Sequence, residues 1–256
     1  MKKLVIALTA IAAFTAPAVA ADMPARAPVY QPPAPVYNWT GFWIAGGGGG
    51  GLWNADSNVV DFPSGLGLTR DHRLGGSGWF GTVGAGWDWQ VSNWVIGLFG
   101  DGQFGSIRGS QSDPFNFVEG REKLEDSWAA GVRLGYLVAP NVLSYVNAGY
   151  SGSRWSGTTL TDLGGGLTVA TTPSFNRNGW FVGGGFENSL TLFGLFGPGW
   201  FMKTEYRSAF YDRITLPETV VFPAGLPTDT ALTFKPWVQT ISTSVVYRFN
   251  WGGARY

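Results

Sequence analysis

The sequence predicts an all-β fold, a closed antiparallel up-and-down barrel of eight strands. Three observations carry this. Between Trp39 and Phe249 a short stretch of alternating residues recurs eight times, apolar and aromatic on one parity, small or polar on the other; period two is the mark of a strand with two unlike faces. The links between these stretches alternate between long and short, so every second connection lies at the same end of the sheet. Away from the ends of the stretches, the charged residues fall on one parity only.

The elements follow in chain order. Lys2 and Lys3 precede an apolar run from Leu4 to Phe14, followed by Ala18-Val19-Ala20, the layout of a secretory signal peptide over 1–20 cleaved after Ala20. The run is too short to cross a bilayer as a helix. Residues 21–37 hold Pro24, Pro28, Pro32, Pro33 and Pro35, which favour an extended linker. The barrel is expected over 38–250, with strands near 39–53, 78–90, 93–106, 126–138, 141–155, 179–189, 199–212 and 237–249. Residues 251–256 form a short C-terminal extension. Asn93, Pro140-Asn141 and Gly197-Pro198-Gly199 give turn chemistry to the short links. The long links, near 54–77, 107–125, 156–178 and 213–236, are rich in Asp, Ser, Thr, Asn, Gly and Pro and are expected as loops.

Parity decides what surrounds the barrel. In the second segment Asp88 lies with Thr82, Gly84 and Gly86, opposite Val83, Ala85, Trp87 and Trp89. In the third, Asp101 and Gln103 oppose Trp94, Ile96, Leu98 and Phe104; in the fourth, Arg133 opposes Trp128, Val132, Leu134 and Tyr136. Glu187 opposes Val182 and Phe186 in the sixth. In the seventh, Lys203, Glu205 and Arg207 oppose Met202, Thr204, Tyr206 and Phe210, and in the eighth Arg248 opposes Ile241, Val245, Tyr247 and Phe249. Facing lipid, each base would cost roughly 2–4 kcal/mol at mid-bilayer, and the sum would rival the roughly 5–15 kcal/mol stability of a whole protein. The charges are therefore expected inside and the apolar residues outside, in lipid. A soluble barrel would invert this arrangement. Short turns then lie on the periplasmic side and long loops outside.

An eight-stranded barrel is only just wide enough for its own side chains, so the glycines on the inward parity (among them Gly84, Gly97, Gly131 and Gly183) make room for the charged ones. Trp39, Trp53, Trp79, Trp89, Trp94, Trp128, Trp155, Trp180, Trp200 and Trp237 sit at predicted strand ends and are expected as interfacial aromatic girdles.

Composition excludes other classes. Loss of Lys2 and Lys3 leaves 15 of 17 basic residues against 17 acidic, a formal charge of −2. That excludes a nucleic-acid binder acting through bulk charge. Cysteine is absent, so there is no disulfide framework. With 39 glycines and no Gly-X-Y period the chain is not collagen, and 13 tryptophans argue against disorder.

Tyr37-Asn38-Trp39-Thr40-Gly41-Phe42 after a Pro-rich leader, Lys203-Thr204-Glu205-Tyr206, and Val246-Tyr247-Arg248-Phe249 resemble the alphaproteobacterial small outer-membrane β-barrel proteins, porin-like surface antigens. The resemblance spans essentially the whole mature chain. It implies residence in the cell outer membrane of a Gram-negative bacterium, surface exposure and, for some members, pore or haemin-binding activity. It also implies outer-membrane lipid and lipopolysaccharide as partners, and assembly machinery reading the C-terminal strand. Two departures stand out: the unbroken run Gly46 to Gly51, and seven residues after Phe249, which make the C-terminal signal internal or modified.

The glycine run is no phosphate cradle, because no Gly-Lys-Ser/Thr follows. His72 is the lone histidine, next to Asp71, and no nucleophile motif accompanies it. No catalytic residue, metal site or cofactor is expected, and the loop ligands are left open. Four acids (Asp88, Asp101, Glu187, Glu205) and four bases (Arg133, Lys203, Arg207, Arg248) admit two main readings. They form a balanced ionic network filling a structural, surface-interaction barrel, or they line a small porin-like channel for slow diffusion of ions or small solutes. A lipid-modifying enzyme is the third reading.

Overall fold

In the computed structural model, residues 37–164, 166–190, 197–222 and 225–249 are described. The expected signal peptide, most of the Pro-rich linker and the C-terminal extension lie outside them. Twelve strands form one antiparallel sheet: β1 (Gly41–Ser57), β2 (Val59–Asp61), β3 (His72–Val91), β4 (Trp94–Asp113), β5 (Val118–Ala139), β6 (Val142–Trp155), β7 (Thr158–Asp162), β8 (Thr168–Thr172), β9 (Phe175–Ser189), β10 (Trp200–Tyr211), β11 (Ile214–Val220) and β12 (Pro227–Phe249).

The eight long strands close on themselves in the order β1-β3-β4-β5-β6-β9-β10-β12. Closure is the pairing of β1 with β12, from Phe42 opposite Phe249 to Asp56 opposite Lys235. Both ends of the ring thus meet at the short-turn end. The run Gly46 to Gly51 lies in β1 between β3 and β12, so the closing strand carries no side chains over its middle third.

Alternation governs exposure. On β3, Trp79, Val83, Trp87 and Trp89 are exposed, while Phe80 and Asp88 are buried. On β12, Ile241 and Val245 are exposed, while Val238, Ser244, Val246 and Arg248 are buried. The ring is apolar outside and mixed inside, the reverse of a water-soluble barrel.

The expected loops are the main departure. The sheet continues well beyond the predicted strand ends: β4 reaches Asp113, β5 starts at Val118, and β12 starts at Pro227. Above the ring β6, β9 and β10 give way to short strands. There β5 pairs β7, β7 pairs β8, β8 pairs β11, β11 pairs β12, and β12 pairs β2. This outer storey has its own core of Val59, Val118, Leu160, Ala170 and Leu232.

Candidate functional site

The inward faces of the eight strands build a lumen filled in layers. Nearest the short turns, Asp88 on β3, Arg133 on β5, Glu187 on β9 and Arg248 on β12 stand on every second strand of the ring, alternating in sign. They bond in a closed circuit. Arg133 Nε donates to Asp88 Oδ1 at 2.8 Å, and its Nη1 to Glu187 Oε2 at 3.1 Å. Arg248 Nε donates to Glu187 Oε1 at 2.6 Å, and its Nη1 to Asp88 Oδ2 at 2.7 Å. Aromatic faces cover the guanidiniums: Trp43 lies 4.7 Å from Arg133 and Trp39 lies 4.5 Å from Arg248, contacts worth more when desolvated.

Glycine makes the circuit possible. Gly97 on β4 stands opposite Asp88 on one side and Arg133 on the other. A Cβ there would collide with the Asp88 carboxylate. Without one, Asp88 and Arg133 meet across the strand that separates them.

One layer further up, Arg207 on β10 crosses the lumen to β4, on the opposite side of the ring. Its Nη1 and Nη2 donate to the two oxygens of Asp101 at 2.9 and 2.7 Å, a bidentate fork. Nη2 also donates to Glu205 Oε1 at 2.7 Å, and Tyr145 donates its hydroxyl proton to Glu205 Oε2 at 2.8 Å. Lys203 completes the group 3.8 Å from Glu205. Phe181 and Phe99 flank the Arg207 guanidinium at 4.7 and 5.8 Å. The eight charged residues singled out from the sequence thus divide into two neutral groups of four.

Above them the lumen turns aromatic. Trp53, Trp155, Phe175 and Phe234 pack together, with Trp155 and Phe175 stacked at 6.0 Å and Trp155 edge-on to Phe234 at 5.2 Å. Here the girdle expectation needs correction. Trp53 and Trp155 are fully buried, and Trp39, 1% exposed, lies beneath Arg248. These three point inward because they share parity with inward residues: Trp53 with Trp43 and Ala55 on β1, and Trp155 with Ser151 and Ser153 on β6. Trp39 precedes β1 and turns under the ring. Trp43, which the sequence reading passed over, is also inside. The other seven face out, Trp79 being 81% exposed. Trp128, Trp180 and Trp237 lie with Trp79 toward the outer storey, and Trp180 and Trp237 sandwich Phe210 at 4.5 and 5.6 Å. Trp89, Trp94 and Trp200 lie at the short-turn end, where Trp94 meets Tyr136 at 5.1 Å and Trp200 meets Tyr247 at 4.9 Å.

His72 begins β3 and is half-buried, with Nε2 3.2 Å from the Ser112 carbonyl oxygen. Ser57 stands opposite it in register but is fully buried, closed to any substrate.

Comparison with known proteins places this geometry. A family model described as "outer membrane protein beta-barrel domain" matches residues 6–249. The chain belongs to the outer-membrane protein β-barrel family. The matched region ends at Phe249, where β12 ends. Among relatives, the 31 kDa outer-membrane immunogenic protein of Brucella melitensis is 29% identical over 214 residues, covering 80% of this chain and 85% of that protein. The 25 kDa outer-membrane immunogenic protein of Brucella abortus is 30% identical over 215 residues, covering 83% and 88%. The crystal structure of the outer membrane protein OprG from Pseudomonas aeruginosa aligns with a TM-score of 0.50 at 12% identity, covering 83% of this chain and 98% of that one, a likeness of fold. As an outer-membrane β-barrel, the protein crosses the membrane with its strands, and the outer face of the ring is apolar.

Proposed function

We propose that the protein is a closed, non-conducting barrel with a structural and surface-interaction role, non-enzymatic, presenting the outer storey at the cell surface. The observation that carries this reading is the filled lumen. Two neutral ionic layers and an aromatic layer lie in series across it. A selective channel instead shows an excess of one sign at its constriction. Surface presentation is supported by the Brucella relatives, which are named as outer-membrane immunogenic proteins.

The anchoring proposal rests on two aromatic belts. Trp79, Trp128, Trp180 and Trp237 form the outer belt; Trp89, Trp94 and Trp200 form the inner one. Ten residues separate Trp79 from Trp89; at ~3.4 Å per residue and a tilt of ~40° they span about 26 Å, close to the ~25 Å apolar band of such barrels. In this reading lipid and lipopolysaccharide are the lateral partners. The assembly machinery engages β12, with its aromatic end at Phe249.

The deciding experiment is a planar-bilayer recording of the purified full-length protein. No sustained conductance is expected. Stable ohmic steps would overturn the closed-barrel reading in favour of a small porin.

A further inference from the structure

The outer storey ends in an apolar crown. Its four tip segments, 62–69, 114–118, 163–172 and 219–228, contain no charged residue and no histidine. They hold the β2–β3, β4–β5, β7–β8 and β11–β12 links. Each link exposes a large apolar side chain: Leu66 at 69%, Phe117 at 68%, Leu167 at 73% and Phe222 at 90%. Backbone bonds tie the links into one rim. Phe62 N–H donates to the Asp229 carbonyl at 2.8 Å, Leu163 N–H to the Phe117 carbonyl at 3.2 Å, and Val221 N–H to the Val169 carbonyl at 2.9 Å. Contiguous exposed apolar surface of this kind marks a protein or membrane interaction site.

We propose that the crown docks into the headgroup region of a second, zwitterionic lipid bilayer. That this bilayer is one apposed to the cell rests on presentation of the outer storey at the cell surface. The backbone favours lipid over a protein partner. In lipid, polar backbone groups must find their partners within the protein itself, and the tips meet that condition. Gly65 N–H donates to the Asp61 carbonyl at 2.8 Å, Gly166 N–H to the Asp162 carbonyl at 3.1 Å, and Gly225 N–H to the Val220 carbonyl at 3.1 Å. Phe115 and Asn116 N–H both donate to Asp113 Oδ1, at 2.7 and 3.0 Å. A surface built to hold a peptide or protein keeps such groups free for it. Apolar side chains on a self-satisfied backbone instead enter the boundary between headgroups and acyl chains, to a depth of about 5–10 Å.

Charge selects the kind of bilayer. The residues bordering the four tips include the acids Asp61, Asp113, Glu119, Asp162, Glu218 and Asp229, and one base, Arg70. Asp113 and Glu218 are buried, and burial pushes the Glu218 carboxyl up to about 7. Asp61, Glu119, Asp162 and Asp229 reach solvent and form a negative collar behind the crown. Anionic membranes attract clustered Lys and Arg, which the collar lacks. A phosphocholine surface presents its ammonium outermost and suits it. A second copy set tip to tip would bring two negative collars together.

The test is flotation of the full-length protein, held in nanodiscs, with phosphatidylcholine vesicles. Co-flotation is expected, stronger than with phosphatidylglycerol vesicles. It should change less than about twofold between about 50 mM and about 500 mM salt, since ion pairing does not drive it. Replacing the four tip residues together (Leu66→Ser, Phe117→Ser, Leu167→Ser and Phe222→Ser) should weaken flotation by about tenfold or more. These side chains are exposed, so the far-ultraviolet β signal should stay unchanged. The chain has no cysteine, so Phe222→Cys carries a single environment-sensitive dye, whose emission should shift to the blue on vesicle binding. Absence of flotation with phosphatidylcholine would overturn the proposal. So would wild-type flotation of the four-residue variant, preference for anionic vesicles, flotation without the blue shift, or pairing of discs that excludes vesicles. On intact cells a membrane-impermeant maleimide should label Phe222→Cys. Unlabelled cells, with vesicle binding intact, would overturn surface presentation and leave the lipid affinity of the crown standing.

Discussion

At the scale of single residues, the interior is decided by which groups stay charged without water. Arg207 reaches across the lumen to Asp101 with both guanidinium nitrogens, so Arg207→Met leaves a carboxylate without its partner. Loss of one member of a buried pair costs about 3–5 kcal/mol, whereas apolar replacement of both is often close to neutral. Urea unfolding in lipid vesicles should therefore show Arg207→Met strongly destabilised and Asp101→Leu/Arg207→Met restored to near wild type. Gly97→Ala tests the circuit below. Its methyl group competes with the Asp88 carboxylate for the same space, and overpacking of this kind costs about 1–3 kcal/mol. The same unfolding assay should register that loss. Asp88 and the other charged residues were legible in the sequence because a charge in a lipid-spanning strand fixes its own parity. Trp53 and Trp155 were not. The Gly46 to Gly51 run erases parity along β1, and the membrane portion of β6 carries Asn147, Ser151 and Ser153 but no charge to set its direction.

At the scale of elements, the crossing strands and the outer strands obey different rules. Within the membrane an outward residue must be apolar, so alternation is enforced. Beyond it water meets the outward face, and Arg108, Ser110 and Ser112 can alternate with Ile107, Gln111 and Asp113. That pattern reads as a loop, which is why the strands of the outer storey were not legible. Strand β11 of this storey carries a pH-dependent contribution. The raised Glu218 pKa means the folded state holds a proton that the unfolded state releases above its ordinary value of 4.5. Stability from this group is therefore greatest at low pH, falls as pH rises from about 4.5 through about 7, and is flat above. Hydrogen exchange of β11 amides, corrected for intrinsic rates, should be faster at pH 8 than at pH 6, and Glu218→Gln should remove the difference. On the lipid face, single-tryptophan variants in brominated lipid test the belts. Trp79 and Trp89 should be quenched from opposite leaflets, and Trp53 from neither.

At the scale of the whole molecule, the proposed closure is redundant. The aromatic layer lies in series with the two ionic ones, so Asp101→Ala/Arg207→Ala should remain silent in planar bilayers although it opens space beneath Trp53. Adding Trp53→Ala and Trp155→Ala should produce measurable conductance; silence there would place the seal in the outer storey. The ring itself closes on its barest strand. A glycine-rich strand specifies its register weakly, and β1 offers β12 six residues with nothing to grip. Trp43 and Trp53 sit at either end of that stretch, both inward, like two keys on a smooth shaft. A slip by one residue would throw both rings out of the lumen. The seam between β1 and β12 is thus indexed from its two ends, with a smooth middle between the two tryptophans.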